Sequence, residues 1–191
     1  MNNVLEELEE LEKRLERTDR LEKAGVMASD MIRKHIYKGE GFDPLAPVTA
    51  EYRGKGRPLQ DTGTLRDSIS SEMTSPDTVS VGTSSRYAPL HNAGGTIRAK
   101  KDWLFIPASG VRKLERTHGK SPAAVIAALK GMNYSIYRVG RTVCARKKEK
   151  GAKAKTLYYL KKSVEIPKRE FFYLTESEAE TILKELTDDI I

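Results

Sequence analysis

The residues whose types could support chemistry are three histidines (His35, His91 and His118), one cysteine (Cys144) and the run Asp61-Thr62-Gly63. A Ser-His-Asp relay can be drawn from Ser68, His91 and Asp61. It lacks a Gly-x-Ser-x-Gly elbow and any oxyanion-hole signature, which such a nucleophile needs. The histidines are far apart in sequence and form no His-Glu-x-x-His pair, so a zinc site is not indicated. A single cysteine supports neither an intrachain disulfide nor a Cys-based metal site. Cys144 sits in an alternating Thr-Val-Cys-Ala-Arg stretch and reads as an inert strand position. Gly54-Lys55-Gly56 lacks the spacing and the following Ser or Thr of a phosphate-binding loop. These residues therefore point to a protein that is not an enzyme and uses no cofactor and no metal. His91, beside Asn92 and two glycines, reads as a side chain that ties a tight turn. His35 reads as helix packing or capping, and His118 as part of a charged loop.

The elements that must position these residues start with a helical segment over 3–37. Leu5, Leu8, Leu11 and Leu15 recur at three- and four-residue spacing among Glu, Lys and Arg. Thr18 and Asp19 weaken this stripe and suggest a cap for a second helix, with Leu21, Ala24, Ala28, Met31, Ile32 and Ile36 on one face. Gly39 and Gly41 mark its end. The first stripe fits either a short coiled coil or packing against the body of the same chain.

Gly39 to Gln60 reads as extended, because Pro44 and Pro47 oppose a helix across them. Tyr52 to Pro58 reads as a basic, glycine-spaced turn. A short helix is expected from a Thr62 cap through Leu65, Ser68 and Ile69, broken by Pro76. Thr78–Thr83, Trp103–Pro107 and Tyr134–Val139 read as strands, and Tyr158–Pro167 as a final strand. Ser121–Leu129 has a Ser cap and Pro at its first position and reads as a helix. A last helix is expected over about Glu176–Leu186, with acids near its start. The fold class is α+β: a small mixed or antiparallel sheet packed with helices, and a long N-terminal helical segment. Two regions are expected, an N-terminal helical segment over 1–38 and an α+β domain over 39–191 with a basic loop near 145–156.

The chain has 191 residues, enough for one domain or one domain with an appendage. Hydrophobic residues make up 38% and charged residues 32%, so much of the chain must be surface, arms or loops. The 34 Lys and Arg exceed the 27 Asp and Glu, for a formal charge of +7. That excess suits an acidic partner, although the interspersed acids also suit simple solubility. Arg146, Lys147, Lys148, Lys150, Lys153 and Lys155 form a like-charge stretch that reads as a mobile loop. No apolar run approaches the roughly 20 residues a bilayer span requires, and the N-terminus is not a signal peptide. The expected setting is a cytoplasm, without membrane contact.

Several segments together match, in the same order along the chain, the motifs of one protein family. Pro58-Leu59-Gln60-Asp61-Thr62-Gly63-Thr64-Leu65-Arg66-Asp67-Ser68-Ile69 is similar to that family's L-x-D-T/S-G-x-L-x-x-S-I signature. Val79–Thr83 with Gly82, then Tyr87-Ala88, His91-Asn92 and Gly94-Gly95-Thr96-Ile97, resembles V-x-V-G-T…Y-A-x-x-H/Q-x-x-G-G-x-I. Ile166–Leu174, with Pro167, Arg169 and Phe171, resembles I-P-A-R-P-F-L-G-L, and Phe42–Pro47 resembles W-x-P-L-S-P. Together they resemble the phage virion morphogenesis proteins, the Mu-like G or tail completion proteins, and the resemblance runs from about Phe42 to the C-terminus. It departs at Glu170, where the family has proline, and in a long stretch between Ile97 and Ile166.

The resemblance implies a structural role in tail completion or head–tail joining, as a ring-forming subunit. Its partners would be other tail or neck proteins in the virion, met first in the host cytoplasm. The motif residues would then be structural: Tyr87, His91, Asn92, Gly94 and Gly95 a turn, and Ile166–Phe172 a packing element. The basic loop would face DNA in the ring lumen without sequence preference, or an acidic partner outside it. A different class of function, a sequence-independent nucleic-acid-binding module, predicts DNA affinity that falls steeply with salt.

Overall fold

A computed structural model describes residues 2–54 and 56–187, residues 2–6 by their backbone alone. Lys55 and the side chain of Leu5 lie outside what is described. The order of elements is α1 (Asn2–Lys38), α2 (Pro47–Arg53), α3 (Thr64–Asp67), β1 (Ile69–Ser75), β2 (Thr78–Thr83), α4 (Ala88–Ala93), β3 (Gly95–Arg98) and β4 (Leu104–Pro107). Then follow α5 (Val111–His118), α6 (Pro122–Gly131), β5 (Tyr134–Val139), β6 (Thr142–Lys147), β7 (Lys155–Lys161), β8 (Ser163–Ile166) and α7 (Glu176–Thr187). This is an α+β fold with a long N-terminal helix and small antiparallel sheets. Contacts divide the chain into two compact units, each built from separate stretches of sequence.

The first unit comprises residues 1–42, 59–93 and 168–191. Its spine, α1, is one continuous helix, where the sequence suggested a break at Thr18-Asp19. The Thr18 hydroxyl donates to the Arg14 carbonyl four residues back at 2.9 Å, so the residue is held within the helix instead of capping a new one. The helix ends where Gly39 turns left-handed at φ 62° and its N–H returns to the His35 carbonyl at 2.9 Å. The expected helix from Thr62 is only one turn, and Ile69–Ser75 is a strand, paired with β2 in the register Ile69↔Thr83 to Met73↔Val79. Pairing and α1 decide this conformation: the Arg33 guanidinium donates to the Ile69 carbonyl at 2.5 Å. At Gly25 a Cβ would lie 2.3 Å from Val79 Cγ2 and 2.9 Å from Ser71 Cβ. Only glycine lets helix and hairpin come this close. The core joins Ile32, Ile36, Ile69, Ala88 and Phe171, all buried, with Phe42, Leu59, Leu65, Val81 and Phe172 packed on them.

The second unit comprises residues 43–58 and 94–167. Its main sheet has the order β4-β7-β6-β5, all antiparallel, and β3 pairs with β8 in a separate ribbon. The single expected strand over 158–167 is thus two strands in two sheets. Helices α5 and α6 cover the sheet, and Val111, Val125, Leu129, Val143, Ala145, Leu157, Tyr158 and Leu160 fill the space between. Ser121 caps α6 as expected, its Oγ accepting from the Ala124 N–H at 3.1 Å. Within the segment expected to be extended, Pro47 opens α2 at the first helical position, where its missing N–H costs nothing. His118 is the last residue of α5, not part of a loop.

Candidate functional site

The motif segments of the first unit meet through their backbones. Gln60 turns its side-chain amide onto the end of α1 and donates to the Ile36 and Tyr37 carbonyls, both at 2.8 Å. Two of the orphan carbonyls of a helix terminus are satisfied in this way. Asp61 and Thr62 are exposed, and Thr62 Oγ1 lies 2.7 Å from Thr64 Oγ1 and accepts from the Thr64 N–H at 3.4 Å. Gly63 holds φ 81° at the start of α3, a left-handed geometry that penalises a side chain. Leu65 then packs on the core.

The Ser68 hydroxyl donates to the Leu65 carbonyl at 2.7 Å and lies 2.7 Å from Thr83 Oγ1. Thr83 Oγ1 in turn accepts from the Ser85 N–H at 3.2 Å. Ser68 is therefore committed to tying α3 to the strand ends, and its recorded partners do not include His91.

The segment after β2 is organised by one short helix, α4. Tyr87 is 65% exposed and contributes through its carbonyl, which accepts from the His91 N–H at 3.1 Å. The His91 carbonyl accepts from the Arg169 N–H at 2.9 Å. Asn92 Oδ1 accepts from the N–H groups of both Phe171 (2.9 Å) and Phe172 (3.0 Å). Two motif segments far apart in sequence are thus joined by three backbone donors. His91 Nδ1 is buried without a hydrogen-bond partner. Burial, followed by the positive charge of buried Arg169, pushes the imidazole pKa down, so the ring is held neutral against the core. Beside it Gly82, Thr83, Ala88, Pro89, Asn92, Phe171 and Phe172 line a shallow apolar recess with few polar atoms.

A second polar cluster lies where α1 meets the start of α7. His35 Nε2 is 2.9 Å from Glu178 Oε1, His35 Nδ1 is 3.3 Å from the Phe171 carbonyl, and the ring stacks on Tyr173 at 4.3 Å. Glu178 Oε2 accepts from the Thr175 N–H at 2.9 Å, and Thr175 Oγ1 accepts from the Glu178 N–H at 3.3 Å. This reciprocal pair is a capping box, and its signature, Thr175-x-x-Glu178, was present in the sequence.

Burial works to raise the Glu178 carboxyl, but the Thr175 and His35 hydrogen bonds outweigh it and hold the group below its ordinary value of 4.5. A depressed carboxyl stabilises the fold above its unfolded pKa and loses that contribution as pH falls through its folded pKa. The wild type is therefore expected to lose more stability than Glu178→Gln between about pH 5 and pH 3. Urea midpoints at the two pH values check this, and parallel losses would overturn it.

In the second unit, Gly94 and Gly95 lead into β3, with Gly95 opposite Ile166 in the register, and Pro167 follows β8. The basic run is shorter as a loop than expected: Arg146 and Lys147 end β6, Lys155 opens β7, and only 148–154 connect them. All six cationic side chains are exposed, and Lys147 pairs with Glu149 at 2.5 Å. Cys144 is half-buried in β6. Tyr52 donates to Glu115, and nearby Tyr158 has its hydroxyl buried without a partner. Burial, then the Glu115 carboxylate and Tyr52, push the Tyr158 phenol up to about 12. It is a core hydroxyl, neutral at any physiological pH.

Among the described residues, no group of three or more His, Cys, Asp or Glu side chains is placed to hold a metal ion. Nor is any described helix long and apolar enough to cross a membrane.

The motif residues of this α+β body satisfy a helix end, tie turns and fill a core, which are structural roles. The chain belongs to the phage virion morphogenesis family, whose model matches residues 8–190. The match begins well before Phe42, where the resemblance in the sequence started, and so takes in most of α1. Neither a curated protein nor a solved structure matches the chain.

Proposed function

We propose that this protein acts in tail completion or head–tail joining, as one subunit of a ring at the tail end or the head–tail junction of the virion. The observation that carries the reading is the first part of α1. Every described side chain from Glu7 to Arg17 is exposed. Leu8, Leu11 and Leu15, on one helical face, are 55%, 53% and 61% exposed. Helix propensity alone stabilises such a segment weakly, and leucines in water forgo about 25 cal/mol per Å² of burial. A stripe of this kind is completed by another chain. A heterologous contact of α1 with the neighbouring subunit repeats around a ring, and its closure sets the subunit number.

Deleting the gene from its phage or prophage and complementing it with variants tests the proposal. The deletion lysate is expected to hold full heads beside separate or overlong tails under the electron microscope. Leu8→Ser/Leu11→Ser/Leu15→Ser is expected to fail in complementation while its unfolding midpoint stays within about 0.5 kcal/mol per site of wild type, because the sites are exposed. Normal infectious particles from the deletion would remove the assembly role. Full complementation by the triple variant would remove the α1 contact.

A further inference from the structure

Charge is divided sharply between the two units. The second unit carries 21 Lys and Arg against 6 Asp and Glu, a formal +15, while the first carries 13 against 21, a formal −8. A net +7 for the chain therefore conceals a strongly cationic body of 90 residues.

Within that body three of the cations converge on one aromatic side chain. Trp103, the chain's one tryptophan, lies half-buried just before β4. Lys162 Nζ sits 4.3 Å from the indole centroid, the Arg138 guanidinium carbon 5.1 Å and that of Arg141 6.0 Å. These residues come from the end of β5, the β5–β6 turn and the end of β7, which the antiparallel order brings to one end of the four-stranded sheet. Loop 148–154 connects β6 to β7 at the opposite end.

Arg138, Arg141 and Lys162 are all exposed. Among the described residues, none of them has a carboxylate within ion-pair distance; Arg138 Nε donates only to the Gly140 carbonyl, at 2.7 Å. Three like charges around one ring repel one another, and the indole's negative face offsets only part of that repulsion. A string of anions placed across them relieves it. Two guanidinium forks match phosphate oxygens in pairs, and the rigid indole holds them oriented beforehand.

We propose that the Trp103–Arg138–Arg141–Lys162 cluster is a contact site for the phosphodiester backbone of DNA, read without sequence preference. It stands independently of the ring proposal. An acidic protein surface suits it less well. At least seven of the 21 acids of a second copy's first unit are already matched within that copy, among them Asp30 by Arg33, Asp77 by Arg17 and Glu178 by His35, and carboxylates on separate flexible side chains cost entropy to hold in one array. DNA offers regular, unpaired phosphates and releases counterions on binding.

Because Trp103 is the only tryptophan, its emission reports on this site alone. The full-length protein is titrated with a mixed-sequence duplex of about 20 bp at several salt concentrations. The expected result is a saturable change in Trp103 emission, with affinity falling on a log–log salt plot by about 0.9 for each phosphate engaged. Arg138→Ala/Arg141→Ala is expected to weaken binding at least about tenfold and to reduce the slope by about two, with an unchanged unfolding midpoint. Three results would overturn the proposal. One is no emission change at low salt. Another is DNA affinity that survives the double variant but is lost when Lys147, Lys148, Lys150 and Lys153 are neutralised. The third is a response to polyglutamate as strong as to DNA, which would assign the site to an acidic protein partner.

Discussion

Phe171→Ala is expected to lower the free energy of unfolding by about 3–5 kcal/mol, the largest single-residue effect in the first unit. Phe171 is 0% exposed and shares its cluster with Ile32 and Ile36 of α1, Ile69 of β1 and Ala88 of α4. Its ring meets that of Phe172 edge-on at 6.4 Å. A cavity left there is walled by three separately anchored elements, which cannot all move inward, so relaxation recovers little of the loss. The magnitude is a large fraction of the 5–15 kcal/mol typical of a whole domain. Chemical denaturation of wild type and variant measures it through the midpoint at constant slope. A loss under about 1 kcal/mol would mean that α1 and the hairpin collapse into the space. Phe171→Leu, which keeps most of the volume, is expected to lose clearly less.

The position of Phe171 was legible in the sequence as part of a motif, but not what it packs against. What could be read was local. The stripes of α1 and α7, the Ser121 cap of α6, and the alternation of Thr78–Thr83 and Tyr134–Val139 follow from periodicity and end chemistry. What could not be read was set by partners distant in sequence. Ile-Ser-Ser-Glu-Met-Thr-Ser over β1 has little strand preference of its own; β2 and the Arg33 bond to Ile69 make it a strand. In α5 only Val111 and Leu114 reach the core, and Gly110 stands at the cap without a side-chain acceptor, so an amphipathic pattern only two apolar residues long, with no cap, has to signal the helix. Gly25 looks like a weak point in a helix until Val79 and Ser71 are seen against it.

The same distinction separates the two sets of candidate contacts. The basic run over 146–155 was visible because its cations are adjacent in sequence. The Trp103 cluster draws on four positions spread over 60 residues, which only the strand order β4-β7-β6-β5 brings together. Thr175-x-x-Glu178 is a feature that local reading could have supplied and did not, a capping box directly before the apolar stripe of α7, and Pro47 at the start of α2 is another.

Asn92→Leu is expected to cost about 2–4 kcal/mol, because it removes one acceptor that serves two backbone donors. Asn92 Oδ1 is the only recorded partner of the Phe171 and Phe172 N–H groups among the described residues. Leucine matches asparagine closely enough in size to occupy the place of the amide, and it fills the apolar recess lined by Gly82, Ala88 and Pro89 where water would otherwise enter. Both N–H groups then stay dry and unpaired, and each carries its own desolvation penalty. Asn92→Ala opens the recess to water, which can take over the two bonds, and is expected to cost less than leucine although it removes more atoms. Asn92→Asp keeps the acceptor and charges it, so it is expected to hold near wild-type stability at neutral pH and to lose it in acid. The order Asp, Ala, Leu from most to least stable at neutral pH is the opposite of the order in side-chain hydrophobicity. Denaturation midpoints at neutral pH decide the case: if leucine proves more stable than alanine, the residue acts by filling space, and the joining of α4 to the 169–172 segment by hydrogen bonds is not what holds the unit together.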